Sequence, residues 1–253
     1  MSAAETRPRS YSPDEMMTVA AARELRDGMT CFVGVGAPSL AANLARDTHA
    51  PGIILIYESG TIGAKPSRLP LSIGDGELAE TADAVVSVPE IFNYWVQPGR
   101  IDVGFLGAAQ IDRCGNINTT VIGDYRRPTV RLPGAGGAPE IAASTREVIV
   151  IVKHSRRTFV GELDFITSVG QRHAADGEAR PITVITDLGI LRADRRTGEL
   201  TLTETHAGVS PDRVKVATGW DLLVADQLSE TEPPTARELA VMKQLKNPAG
   251  GAG

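Results

Sequence analysis

Residues Thr30 to Pro66 read "TCFVGVGAPSLAANLARDTHAPGIILIYESGTIGAKP". An apolar run opens into glycines and a short helical pattern follows. A second apolar run, "IILIY", then leads straight into Glu58. Short apolar runs bounded by turns are the mark of fully buried strands. With a helical stretch between them, they read as parallel neighbours covered by that helix. Glu58 then stands at the carboxyl end of a strand, where open α/β sheets gather their ligands. It lies 22 residues past Gly36 (58 − 36), close to the place of the ribose-binding acid in a dinucleotide-binding unit. Three roles are open to it: a ribose hook, a covalent nucleophile, or a solvated polar residue ending a strand. The dinucleotide fingerprint is incomplete, because Pro38 and Ser39 fill its last two positions and the third glycine is missing. A helix N-terminus at Ser39 would still offer free N–H groups to an anion.

The same alternation continues outward. "SPDEMMTVAAARELRDG" reads as a helix with Ser12 as N-cap, Pro13 in its first position, Glu15 closing a capping box and Gly28 as the stop. "ADAVVSVP" reads as a strand and "EIFNYWV" as a helix, while "IDVGFLGAAQID" and "REVIVIVKH" read as further buried strands. "ILRADRRTGELTLTE" is instead a hairpin turning at "RRTG", which makes the sheet mixed. "QRHAADGEARP" is a polar loop, and Thr235 with Glu238 caps a terminal helix, "TARELAVMKQLKN". No composition shift or repeat divides the chain. The expected architecture is a single α/β domain over residues 12–246, an open, mixed but mostly parallel sheet with helices on both faces. Loose tails are expected at 1–11 and 247–253.

Composition narrows the function. A net charge of −5 and 4 % aromatic residues give no reason to expect nucleic acid or an anionic membrane as partner. The longest apolar runs, "IILIY" and "VIVIV", fall far short of the about 20 residues of a membrane span, and the first ten residues lack the apolar core of a signal peptide. Cys31 and Cys114 sit in strand-like segments with no second cysteine nearby. They read as buried reduced thiols, as in a cytoplasmic protein. None of the four histidines has a partner at metal-ligand spacing, so no metal is expected.

Three further stretches carry glycines or turn residues. "RLPGAGGAPEIAAS" places Gly134, Gly136 and Gly137 just before a helix starting near Pro139. That suits either an oxyanion-binding loop or simply a sharp connection. "LSIGDGELAET" reads as structural, since Asp75 and Glu77 discourage an anion, and "GNINTT" reads as a turn whose Asn116 and Asn118 bond to nearby backbone. With no Ser-His-Asp or Cys-His pairing and no G-x-S-x-G, a carboxylate is the best available nucleophile, and it needs no helper base.

Taken together, "YESGTIGAKP", "PLSIGDGELAETAD", "RIDVGFLGAAQIDRCGNINTTVIGD" and "RLPGAGGAPEIAAS" resemble, in order and spacing, the β subunits of class I CoA-transferases of the glutaconate CoA-transferase type. The likeness runs from about Ser12 to Trp220. It implies that Glu58 is the nucleophile of an E-x-G motif, flanked by Ser59, Gly60 and Gly63. Many members carry Ser-Glu-Asn-Gly where this chain has Tyr57-Glu58-Ser59-Gly60. It implies too that Gly134, Gly136, Gly137 and Ala138 form the loop that approaches the thioester and CoA. The implied reaction moves CoA from succinyl-CoA to 3-oxoadipate by a ping-pong route through a glutamyl-CoA thioester. The alternatives are glutaconate or another short-chain carboxylate as acceptor, or hydrolysis of an acyl-CoA on the same fold. No cofactor is implied beyond the CoA thioester substrate, and the partner is an α subunit in an α2β2 assembly. Lys65, Arg68, Arg126 and Arg127 are the candidate cations for a distal carboxylate.

Overall fold

The computed structural model describes residues 10–170 and 180–247. Most of the two expected tails and of the polar loop at 171–181 lies outside the described residues. Ser12 caps α1 (Pro13–Arg23) through the expected box, its hydroxyl accepting the Glu15 N–H while the Glu15 carboxylate accepts the Ser12 N–H. The helix stops at Arg23, short of Gly28: Leu25 turns into the core and Glu24 leaves the helix to pair with Arg192 at 2.7 Å.

The chain continues through β1 (Thr30–Val33), α2 (Ala37–Thr48), β2 (Ile54–Tyr57), β3 (Thr61–Ile62), α3 (Gly76–Glu80) and β4 (Ala84–Val85). The strand expected across 82–89 is cut to two residues, because Ser87 and Glu90 form a capping box that starts α4 (Val88–Glu90). The helix expected at 90–96 is present, but Ile91–Val96 is π-wound, with the Gln97 N–H donating to Phe92 O (2.9 Å) and the Arg100 N–H to Trp95 O (3.0 Å). Ile91 and Val96 are both fully buried. At 3.6 residues per turn two such positions would diverge by about 140°, whereas i→i+5 bonding stacks them on one face.

There follow β5 (Val103–Leu106), β6 (Gln110–Ile111), β7 (Ile117–Asn118), β8 (Val121–Gly123), β9 (Pro128–Arg131), α5 (Ala138–Ser144) and β10 (Glu147–Ile151). The last elements are β11 (Ile182–Ile185), β12 (Gly189–Ala193), β13 (Leu200–Thr205), α6 (Pro211–Val216), β14 (Leu223–Glu230) and α7 (Ala236–Lys246), the latter capped by Thr235 and Glu238 as expected.

Among the described residues ten strands form one sheet in the order β14-β13-β12-β11-β10-β5-β1-β2-β3-β4. From β11 through β10, β5 and β1 to β2 every pairing is parallel, and antiparallel pairs flank this block on both sides. The hairpin at "RRTG" is β12–β13, its turn held by Asp194 Oδ1, which accepts from the Arg196 and Thr197 N–H groups (3.0 and 2.7 Å). Apolar side chains fill both faces of the sheet. Met16, Val19, Leu40, Leu44 and Leu245 bring α1, α2 and α7 onto one face; Ile91, Val96, Ile141 and Val214 bring the π-turn, α5 and α6 onto the other. Covering both faces is what allows strands as uniformly buried as β1 and β5.

Candidate active site

Three neighbouring parallel strands deliver their carboxyl ends to one place: β1 runs into Gly34, β2 into Glu58 and β5 into Gly107. These, with Ile73 and the Ala135–Ala138 loop, line a pocket of ≈220 Å³. A parallel sheet does this by construction, since its chain reversals on that side leave N–H groups and side chains facing a common crevice.

Glu58 is half-buried, one residue beyond the fully buried Tyr57. The Tyr57 hydroxyl pairs with Ser39 Oγ of α2 at 3.1 Å, and Asn43 Nδ2 donates to Ser39 O at 2.8 Å, so the strand end is pinned from behind. Burial pushes the Tyr57 phenol above its ordinary range. The anion reading at Ser39 fails: α2 begins earlier, at Ala37, and the Ser39 side chain is buried against Tyr57. After Glu58 the chain turns at Gly60, whose φ is +108 and where a Cβ would stand 1.9 Å from Val86 O. Gly60 O accepts the Val86 N–H at 2.9 Å, so the residues just past β4 lie directly against this turn.

The second glycine loop arrives from β9. Thr119 ties it down, its carbonyl accepting the Gly134 N–H and its hydroxyl donating to Gly134 O, each at 2.8 Å. Asn118 shapes the preceding turn by accepting the Thr120 and Val121 N–H groups (2.9 and 3.2 Å), as expected for "GNINTT". Gly136 has a φ of +50. Gly137 has an ordinary φ of −82, so its requirement is for space. A Cβ there would stand 2.6 Å from Phe92 Cζ and 3.3 Å from Glu58 Oε1. The loop backbone and the carboxylate, 79 residues apart in sequence (137 − 58), are thus neighbours. Gly104 contributes at a distance: a Cβ there would meet Ile141 Cγ2 at 2.4 Å, so its absence lets α5 settle on β5 and carry Gly137 to the strand ends.

The chain matches the model of the coenzyme A transferase family over residues 14–217. It is 59 % identical to the B subunit of the 3-oxoadipate CoA-transferase of Pseudomonas knackmussii, over 94 % of each chain. This chain belongs to the coenzyme A transferase family. Among solved structures, the glutaconate coenzyme A-transferase of Acidaminococcus fermentans superposes with a TM-score of 0.87 at 30 % identity, covering 94 % of this chain and 96 % of that one. The decarboxylase AibA/AibB superposes at 0.83 and 29 % identity, covering 93 % and 95 %. The fold alone therefore does not choose the chemistry.

Within this coenzyme A transferase the anticipated residues separate into two groups. Glu58, Gly136, Gly137 and Ala138 line the pocket together. Gly134 anchors the loop outside it, and Gly60 and Gly63 shape the turn beneath Glu58. Ser59 Oγ is buried without a hydrogen-bond partner among the described residues. The cation candidates lie elsewhere: Lys65 pairs with Asp83 at 2.6 Å, Arg68 with Asp75 and Glu77 at 2.9 and 3.1 Å, and Arg126 and Arg127 are exposed beyond β8. Among the described residues, Glu58 is the one ionisable side chain in the lining. "LSIGDGELAET" is structural at Asp75, which caps α3 and whose bond to Arg68 holds it down to about 2, but the same stretch also brings Ile73 into the lining. Cys31 is buried in β1, and desolvation with the nearby Asp102 and Glu147 pushes its thiol up to about 12. Cys114 is half-buried in a turn rather than a strand, because Asp112 Oδ1 accepts the Cys114 and Asn116 N–H groups and folds the chain back. Among the described residues no helix is long and apolar enough to cross a membrane. Phe92 was not foreseen as part of the site. Its only sequence signal is the S-x-x-E cap at Ser87–Glu90, which marks where its helix begins.

Proposed function

We propose that this chain is the β subunit of a 3-oxoadipate CoA-transferase, carrying the nucleophile Glu58. The observation that supports this most is the approach of the Glu58 carboxylate to Gly137, in a pocket whose described lining has no other ionisable side chain. A Glu58 oxygen attacks the thioester carbonyl of succinyl-CoA, giving a succinyl–glutamyl anhydride and CoA thiolate. The thiolate then attacks the glutamyl carbonyl, forming glutamyl-CoA and releasing succinate. A 3-oxoadipate carboxylate attacks that thioester and expels the thiolate, which returns to the 3-oxoadipyl carbonyl and frees Glu58. Each of these additions develops an oxyanion, for which we assign the backbone N–H groups of Gly136 and Gly137, in the pocket wall, as donors. No step calls for a metal or a redox cofactor.

The remaining parts of the reading concern the partner. Among the described residues the lining holds no cation for the second carboxylate of either dicarboxylic acid, and Leu71 (87 % exposed), two residues before Ile73 of the lining, leaves apolar surface uncovered. An α subunit covering this edge, in an α2β2 assembly, would bury that surface and supply the missing donors. The buried reduced thiol Cys31 suits a cytoplasmic setting.

The test is to co-express both subunits and supply succinyl-CoA with 3-oxoadipate, then with glutaconate. Formation of 3-oxoadipyl-CoA in preference to glutaconyl-CoA is expected, with no turnover by this chain alone. Release of free CoA without acceptor thioester would make the complex a hydrolase and end the transferase reading.

A further inference from the structure

Gly137 is crowded from two sides, and only one of them belongs to the nucleophile. On the other is the tip of the Phe92 ring, with Cζ at 2.6 Å and Cε1 at 3.0 Å from where a Cβ would stand. The same ring leans on Phe32 of β1, a pocket-wall residue, with centroids 6.0 Å apart and planes at 53°. Phe92 is thus wedged between the strand that neighbours Glu58 and the loop that faces it. Its direction is set by the π-wound segment: Ile91 and Val96 are both fully buried, which fixes the helix rotation, and Phe92 is the next residue after the first anchor. The Gln97 N–H closes the i→i+5 bond on the Phe92 carbonyl itself. Single π-wound turns of this kind are frequent at functional sites.

We infer that Phe92 is a positioning residue, whose ring sets how far the Gly136–Gly137 backbone stands from the Glu58 carboxylate. The inference rests on the reading of Glu58 as nucleophile. An oxyanion donor acts only within a few tenths of an ångström of its hydrogen-bond distance, and the ring is the stop that keeps the loop at that depth. Phe92 touches no reacting atom, so its removal should reduce turnover and leave substrate binding nearly intact.

The experiment compares Phe92→Ala, Phe92→Leu and Gly137→Ala with wild type in the complete two-subunit enzyme. Glu58→Ala serves as a control. Phe92→Ala should lower kcat on the order of 100-fold and Phe92→Leu roughly 10-fold, with KM for the CoA donor within about threefold. Succinyl-CoA alone should still label Glu58 in both variants, only more slowly. Gly137→Ala, whose Cβ presses on both the Phe92 ring and Glu58, should lower kcat as well and marks the loss expected when the contact is disturbed at the loop itself. Wild-type kcat in assembled Phe92 variants, or a loss carried wholly by KM, would overturn the inference. If neither Phe92 variant assembles, Phe92→Met takes their place: a wild-type kcat overturns the inference, and a loss in kcat alone supports it. Full transfer by Glu58→Ala would instead bring down the nucleophile reading itself, separately from anything Phe92 does.

Discussion

Two glycine turns flank Glu58 and need their glycines for different reasons. At Gly60 the backbone is the constraint, with φ at +108 and the Val86 carbonyl 1.9 Å from any Cβ. At Gly137 the backbone is ordinary, and the constraint is a phenylalanine ring and the carboxylate itself. The first turn is part of what holds β2, β3 and β4 together; the second is a fitted contact within the site. Glycine in a motif is therefore not one kind of evidence. A glycine demanded by backbone reports on folding, and one demanded by a functional neighbour reports on chemistry.

That contrast can be broken by substitution. Gly60→Ala should have the largest effect: a Cβ driven into a carbonyl at a positive φ should cost more than about 4 kcal/mol and give insoluble or unfolded chain, read by circular dichroism. Gly137→Ala should fold, since its nearest obstacle is the end of a ring that can shift, and lose only about 1–3 kcal/mol in thermal melts. Its turnover should nonetheless fall on the order of 100-fold. If the two variants instead lose stability equally, the Gly137 loop is a tight turn and nothing more.

A third prediction lies outside both turns. His154 is buried, stacked on Phe159 with centroids 3.7 Å apart and bonded to Thr218 Oγ1 at 2.9 Å, and burial pushes its imidazole down to about 4. The folded state thus resists protonation that the unfolded chain accepts near pH 6.5. Its share of stability is complete above that pH and drains away as pH falls toward 4, a loss on the order of 3 kcal/mol. His154→Gln should flatten denaturant midpoints across that window, and an unchanged slope would assign the acid loss elsewhere. The smallest effect is expected at Lys65. Its pairing with Asp83 is more than half exposed on both sides, so Lys65→Ala should change stability by less than about 0.5 kcal/mol and leave the acceptor KM alone. A large rise in that KM would return Lys65 to the site.

Four strands of the parallel block were legible because β1, β2, β5 and β10 are short apolar runs, while β11, directly after the polar loop, was not read. The strand-end place of Glu58 was legible because "IILIY" ends on an acid followed by glycines. The hairpin and both terminal capping boxes were legible for the same local reason. What lay hidden was non-local. The π-winding at Ile91–Val96 follows from two burial sites that six residues of pattern do not reveal. The edge strand β14, "LVADQLSE", is mostly exposed and has no alternation to read. Phe92 and Gly137 are 45 residues apart (137 − 92), and nothing in either stretch announces the other.

The most direct test of the account is intact-mass analysis of the two-subunit complex after succinyl-CoA alone. A CoA thioester should appear on this chain, map to the peptide holding Glu58, vanish on addition of 3-oxoadipate, and be absent from Glu58→Ala. Turnover without any such adduct, or an adduct mapped to another residue, would contradict it.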